Sequence, residues 1–351
     1  MKIEELLKKA VEEHASDVFI IAGRAVSFRK NGLIHTVDDI RLLPADTDEL
    51  LHEIYILAEN RDFSQLSEVG DDDFSFALPG ISRFRVSAYK QRGSYSAVIR
   101  VITFTLPDPA ELGIPESVLQ LCHTGSGMIL VTGTAGSGKS TTLACMIDRI
   151  NHTRDAHIIT LEDPLEYLHR HDRCIVSQRE INVDTENYVT ALRAALRQSP
   201  DVILLGEMRD YETIDVSMTA AETGHLLLST LHTLGAANTI DRIIDVFPAN
   251  QQHQIAIQLS TTLNAVVSQQ LVPTVDDHMV PAFEIMTVTP AIRNMIRENK
   301  IPQIEGLLYA SARPDMISMD ASLLALYKAG RISRDTALSH ATNPEMLGKK
   351  L

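Results

Sequence analysis

The sequence predicts an α/β protein in two parts: a small α+β domain with an antiparallel sheet, then a larger α/β domain whose central sheet is largely parallel. Three observations carry this. Apolar strands near residues 128–132, 158–161, 202–205 and 226–231 alternate with helical stretches, the pattern of a parallel sheet covered on both faces. A glycine-rich turn at 133–140 joins the first of these strands to a helix. Upstream, shorter strands end at Leu106-Pro107-Asp108-Pro109, where two prolines disfavour both helix and inner strand.

In the first part, Ile3, Leu6, Leu7 and Val11 have helical spacing and predict an amphipathic helix over 3–13. Its polar face carries Glu4, Glu5, Glu12 and Glu13. Anionic lipid would repel these acids, so the helix is expected to pack on its own domain. Residues 18–21 are β-branched and aromatic and read as a strand. Asn31-Gly32 predicts a hairpin. Leu50, Leu51, Ile54 and Leu57 give one apolar face to a helix over 47–59. Strands follow at 73–78, 83–91 and 95–102, separated by Pro79-Gly80 and Gly93. In the second part, Leu143, Met146, Ile147 and Ile150 mark a helix face after the glycine-rich turn. The last sixty or so residues read as mostly helical, with Thr289 as a cap and Pro290 at a first helical position.

The chain has 351 residues and a net charge of −14, with −4 before Leu106 and −10 after it. Neither part is basic, which excludes a broad nucleic-acid surface and leaves room for a small anion site. Apolar residues make up 44%, enough for a real core, so global disorder is excluded. Cys122, Cys145 and Cys174 are too few and scattered for a disulfide framework or a zinc cluster. No apolar run approaches the ~18–20 residues of a membrane span, and the early acids do not suit a signal peptide. A soluble, cytoplasmic protein is expected.

The strongest motif is Gly133-Thr134-Ala135-Gly136-Ser137-Gly138-Lys139-Ser140, followed by Thr141. It fits G-x-x-x-x-G-K-[ST] at every defined position, between a buried strand and a helix. Glycines let backbone N–H groups wrap phosphates without Cβ clashes, and the helix N-terminus adds partial positive charge. Lys139 is expected to reach the β- and γ-phosphates, and the Ser140 hydroxyl to ligate Mg²⁺. Two acids follow apolar strands, Glu162 after 158–161 and Glu207 after 202–205. In an open α/β sheet ligands bind beyond the carboxyl ends of strands, so both acids are expected near the γ-phosphate. Position alone does not say which one takes a proton from water. His225 and His232 bracket the strand at 226–231. Seven residues apart, they face opposite ways and do not share one metal.

Further stretches carry a resemblance. Thr160-Leu-Glu-Asp-Pro-Leu-Glu-Tyr resembles the Asp box of the type II/type IV secretion and pilus ATPases. Residues 201–214 resemble their atypical Walker B, 223–233 their His box, and Ala291-Ile-Arg-Asn-Met295 a motif of their retraction motors. Ala15-Ser-Asp-Val and Arg83-Phe-Arg-Val fit as well, so the resemblance spans essentially the whole chain. It implies a PAS-like N-terminal domain at 1–106, a linker at 107–116, and a RecA-like ATPase domain with C-terminal helices at 117–351. It implies a hexameric ring that hydrolyses ATP with Mg²⁺ to power pilus retraction. Glu162 becomes the base that activates water, Glu207 the acid on the Mg²⁺ side, and His225 and His232 sensors of the γ-phosphate or a domain interface. Arg83, Arg85 and Arg100 match arginines supplied to the nucleotide from the N-terminal domain, with Arg83 and Arg100 placed first. A guanidinium delivered across an interface stabilises transition-state charge.

The implied partners are copies of the chain in a homohexamer, an inner-membrane pilus platform protein met from the cytoplasmic side, and, for an accessory motor, a second motor ATPase. Nucleic acid is not among them. Arg293 and Asn294 are expected in coupling or interface roles. Departures from the family pattern are Gly133-Thr-Ala in place of Gly-Pro-Thr, which removes a hydroxyl at Ala135, and Met295 in place of Leu. The four-cysteine metal site common in assembly motors cannot form here, which favours retraction over assembly; a secretion motor remains the alternative task.

Overall fold

A computed structural model describes every residue except 1, 31, 103–105 and 277. The chain divides into two compact units. The first is Met1–Thr105 with Glu166–Leu168, and the second is Leu106–Leu165 with His169–Leu351.

The first unit is α+β. Helix α1 (Ile3–Glu12) buries Ile3, Leu6, Leu7 and Ala10. Strand β1 (Asp17–Ile20) precedes β2 (Ser27–Lys30) and β3 (Leu33–Thr36), which pair antiparallel. Asn31 of the predicted hairpin lies outside the described residues. Helix α2 (Pro44–Leu57) starts three residues earlier than the apolar spacing predicts. Pro44 fits a first helical turn, and Asp46 accepts from the Leu43 N–H at 2.6 Å. A short α3 (Ser64–Glu68), without a clear sequence signal, leads to β4 (Asp71–Leu78), β5 (Ser82–Gln91) and β6 (Ser94–Ile102). The six strands form one antiparallel sheet in the order β3-β2-β1-β6-β5-β4. Phe28, Phe84, Val86 and Ile99 fill its core with Leu51 and Ile54 of α2.

The second unit is built on an eight-stranded sheet. Helix α4 (Glu116–Gln120) precedes β7 (Gly127–Thr132), then α5 (Lys139–Thr153), β8 (His157–Glu162), β9 (Ile175–Glu180), α6 (Tyr188–Ala195), β10 (Val202–Leu205), α7 (Tyr211–Glu222), β11 (Leu226–Leu231), α8 (Ala236–Asp245), α9 (Ala249–Thr262) and β12 (Leu263–Pro273). The order is β14-β13-β12-β7-β11-β10-β8-β9, with β13 (Met279–Thr287) and β14 (Met316–Ile317) antiparallel and the rest parallel. Along β7, Met128 and Leu130 face one core layer while Ile129 and Val131 face the other. That two-sided burial is why the strand reads as an unbroken apolar run. The remaining helices are α10 (Pro290–Arg297), α11 (Pro302–Ala310), α12 (Met319–Lys328), α13 (Arg334–Ser339) and α14 (Pro344–Gly348). Thr289 caps α10 by accepting from the Ile292 N–H, with Pro290 at the first turn, as the sequence predicts. The fold is the expected α/β arrangement, and the C-terminal part is helical. The antiparallel extension β13–β14 was not predicted.

Candidate nucleotide site

The parallel strands end in register at one edge of the sheet. Leu161, Leu205 and Ser229 stand side by side on β8, β10 and β11, and Ser229 faces Leu130 on β7. The residues just past these positions therefore gather on that edge. Outward from β7, β11 delivers His232, β10 delivers Glu207 and β8 delivers Glu162.

Between β7 and α5 the loop 133–138 turns through Gly133 (φ +145°), Gly136 (φ +75°) and Gly138 (φ +88°). Two of these glycines are also forced by packing. A Cβ on Gly133 would lie 2.2 Å from the Gln269 carbonyl oxygen, and one on Gly138 would lie 2.8 Å from Gln269 Nε2. Gln269, on β12, is thus a wall of the loop. Its Oε1 accepts from Thr142 Oγ1 at 2.7 Å, which ties the wall to the first turn of α5. Lys139 is buried, and its ammonium donates to the carbonyls of Gly133 (2.9 Å) and Thr134 (2.8 Å). The charge is held inside the loop, at the N-terminus of a fifteen-residue helix whose dipole adds to it. Among the described residues, Ser137 Oγ and Thr132 Oγ1 are buried there without a hydrogen-bond partner. Orphaned hydroxyls beside a glycine cradle and a lysine fit a phosphate group. Ser140 is the second residue of α5.

Glu207 is buried, and both its oxygens are engaged. Oε2 lies 3.2 Å from His232 Nε2, and Oε1 meets the Arg209 guanidinium. The Glu207 hydrogen bond raises the Arg209 pKa above its ordinary value. Ser140 and Glu207 offer a hydroxyl and a carboxylate, hard oxygen donors of the kind Mg²⁺ takes. Glu162 closes β8, followed by Asp163.

The structure separates the two histidines. Nδ1 of His225 sits 3.0 Å from the Ala220 carbonyl and 3.1 Å from Thr223 Oγ1, at the start of β11. His232 lies past the other end, roughly 20 Å away for a strand of six residues. His225 thus stands at the strand end opposite the phosphate loop, where it secures the α7–β11 turn. Arg293 is also accounted for. It donates to the Ser260 and Thr261 carbonyls at 2.8 and 2.9 Å and caps the end of α9. Asn294 donates to Glu298 on its own helix at 3.1 Å.

In the first unit, Arg83 and Arg85 alternate with the core residues Phe84 and Val86, so they share the polar face of β5. Arg100 stands directly across from Arg85. Its Nε donates to buried Asp17 at 3.2 Å. All three arginines thus line one face of that sheet.

Sequence reasoning missed Arg209, Gln269 and Tyr188. Arg209 had a local signal, two residues beyond Glu207. Gln269 had none, because it reaches the loop only through the pairing of β12 with β7. Tyr188 opens α6 and packs at the same sheet edge.

The class of protein that this strand order and loop define is the P-loop nucleotide-binding protein. Residues 1–314 match the family described as Type II/IV secretion system protein, and the chain belongs to that family. The type IV pilus retractation ATPase PilT of Pseudomonas aeruginosa is 43% identical, over 98% of this chain and 99% of its own length. The type IV pilus ATPase PilU of the same organism is 41% identical, over 97% of this chain and 89% of its own. A crystal structure of the pilus retraction motor PilT with bound ADP superposes with a TM-score of 0.90 at 45% identity, covering 99% of each chain.

Proposed function

We infer that the chain is an ATP-hydrolysing motor that powers retraction of a type IV pilus, working as a homohexamer at the cytoplasmic face of the inner membrane. One observation carries this reading: a phosphate loop and two strand-end acids share one sheet edge in a chain that matches PilT over nearly its whole length. Among the described residues no helix is long and apolar enough to cross a membrane, so attachment to a pilus platform protein is protein–protein contact. Residues 107–116 serve as the linker between an N-terminal domain at 1–106 and the ATPase domain at 117–351.

In this reading the backbone N–H groups of residues 133–141 and the Lys139 ammonium bind the phosphates of ATP. Mg²⁺, held by Ser140 on the side supported by Glu207, would neutralise charge on the β- and γ-phosphates. Glu162 takes a proton from water as its oxygen bonds to the γ-phosphorus and the bond to the β–γ bridging oxygen breaks, releasing ADP and phosphate. His232, tied to Glu207, reports the state of the γ-phosphate to the segment leading into α8. Arg83 and Arg100, with Arg85 beside them, supply guanidinium charge from the N-terminal domain across a subunit boundary.

A second reading, an accessory motor paired with another, draws on the 41% identity to PilU. Deleting the gene in the source organism tests the main reading. A retraction motor leaves surface pili in excess and abolishes twitching. Loss of surface pili would instead mean assembly, and retained twitching would favour the accessory role.

A further inference from the structure

Tyr188 opens α6, and its phenol reaches the edge where the acids stand. A Cβ placed on Gly206 would lie 2.6 Å from the Tyr188 hydroxyl, 3.3 Å from the Leu161 carbonyl oxygen and 3.4 Å from Glu162 Cα. One small volume is therefore bounded by the phenol, by the residue before Glu207 and by Glu162 itself. The hydroxyl sits in the gap between the ends of β8 and β10, the two strands that deliver the acids. Glycine at 206 is what makes room for it.

Among the described residues this hydroxyl has no hydrogen-bond partner, although the side chain is only partly exposed. A phenylalanine would keep the same ring packing without the hydroxyl, so packing alone does not account for it. The group is better explained by what it meets when substrate is bound, since catalytic hydrogen bonds often tighten only then. Its surroundings also keep it a donor. Burial and the carboxylates of Asp163, Glu207 and Glu162 raise its pKa far above the ordinary phenol value, against the opposing Arg209 guanidinium. Asp210 on the neighbouring turn is occupied in capping α7.

We propose that Tyr188 is a positioning residue of the hydrolytic site, donating its O–H to one oxygen of the Glu162 carboxylate so that the other faces the attacking water. Tyr188 keeps its proton throughout, and no bond forms or breaks at the ring. The proposal rests on the reading of Glu162 as the base.

The test measures ATP turnover, KM, ADP affinity and thermal midpoint for Tyr188→Phe and Glu162→Gln beside the unmodified full-length protein. The expected result for Tyr188→Phe is a kcat lowered about tenfold, the scale of one oriented hydrogen bond. KM, ADP affinity and thermal midpoint stay unchanged. A kcat within twofold of the unmodified protein, with Glu162→Gln inactive, would overturn the role of Tyr188 and leave the reading of Glu162 intact. A fall in thermal midpoint parallel to the fall in kcat would overturn it too, by showing a packing role. Full turnover in Glu162→Gln would remove the base and this proposal together.

Discussion

His232 Nε2 lies 3.2 Å from Glu207 Oε2, while the other oxygen of that carboxylate meets Arg209. The pair joins the end of β11 to the end of β10, so a change at one strand end is felt at the other. Glu207 is buried but His232 is exposed, so solvent screens the bond and its loss costs about 1 kcal/mol. His232→Ala is therefore expected to lower kcat by about five- to tenfold. ADP affinity, set by the loop at 133–141, should change little. Steady-state kinetics and ADP titration measure the two effects separately.

The glycines of the loop should rank by what surrounds them. Gly133→Ala drives a Cβ to 2.2 Å from a backbone oxygen of Gln269. That oxygen belongs to a paired strand and cannot yield without moving β12. Gly136→Ala meets nothing within 4 Å and carries only the strain of φ +75°, about 1–2 kcal/mol. Thermal melts should show Gly133→Ala well below Gly136→Ala, and nucleotide binding should be lost first in the former.

Acid should weaken the fold through His169. Burial pushes its pKa down to about 4, from an ordinary 6.5. The unfolded chain then binds a proton that the folded chain refuses. Stability is complete above pH 6.5 and is lost as pH falls from 6.5 toward 4, by about 3 kcal/mol in all. Denaturant melts across that range should show the loss, and His169→Gln should flatten it.

In the N-terminal unit, buried Asp72 accepts from Tyr55 Oη at 2.8 Å and from Arg61 Nε and Nη2 at 2.9 and 2.8 Å. Burial alone would raise its pKa, but the bonds to Arg61 and Tyr55 outweigh it and hold the carboxyl below its usual range. Arg61→Ala leaves that carboxylate buried with one partner, and because Arg61 itself is exposed the loss is about 1.5–3 kcal/mol. Chemical denaturation of the intact chain should place the loss in the transition of this unit.

All three thiols are buried. Burial pushes Cys122 up to about 12 and Cys145 up to about 11, and raises Cys174 as well. Thiolate is the reactive form, so alkylation at neutral pH should be negligible until denaturant is added. Mass spectrometry of the alkylated chain would show it.

The sequence made visible whatever depends on contiguous residues. The loop 133–141 was legible because its spacing is local, and Glu162 and Glu207 because each closes an apolar run. The edge that gathers them depends on strand order. β7 and β8 are neighbours in the sequence, yet β11 and β10 lie between them in the sheet. No periodicity encodes that order, so His232 could be tied to Glu207 only from the structure, and His225 could be set apart only there. Gln269 was invisible for the same reason, since it reaches the loop across more than a hundred residues of chain. The start of α2 was missed because Pro44 and Asp46 fix it by capping chemistry outside the apolar spacing.

The central claim is that the edge holding Lys139, Glu162 and Glu207 hydrolyses ATP rather than merely binding it. Phosphate release from ATP by Glu162→Gln, set against ATP affinity in the same protein, tests it most directly. The account predicts ATP bound with unchanged affinity and phosphate release reduced at least a hundredfold, the scale of a lost general base. Phosphate release at the unmodified rate would contradict it.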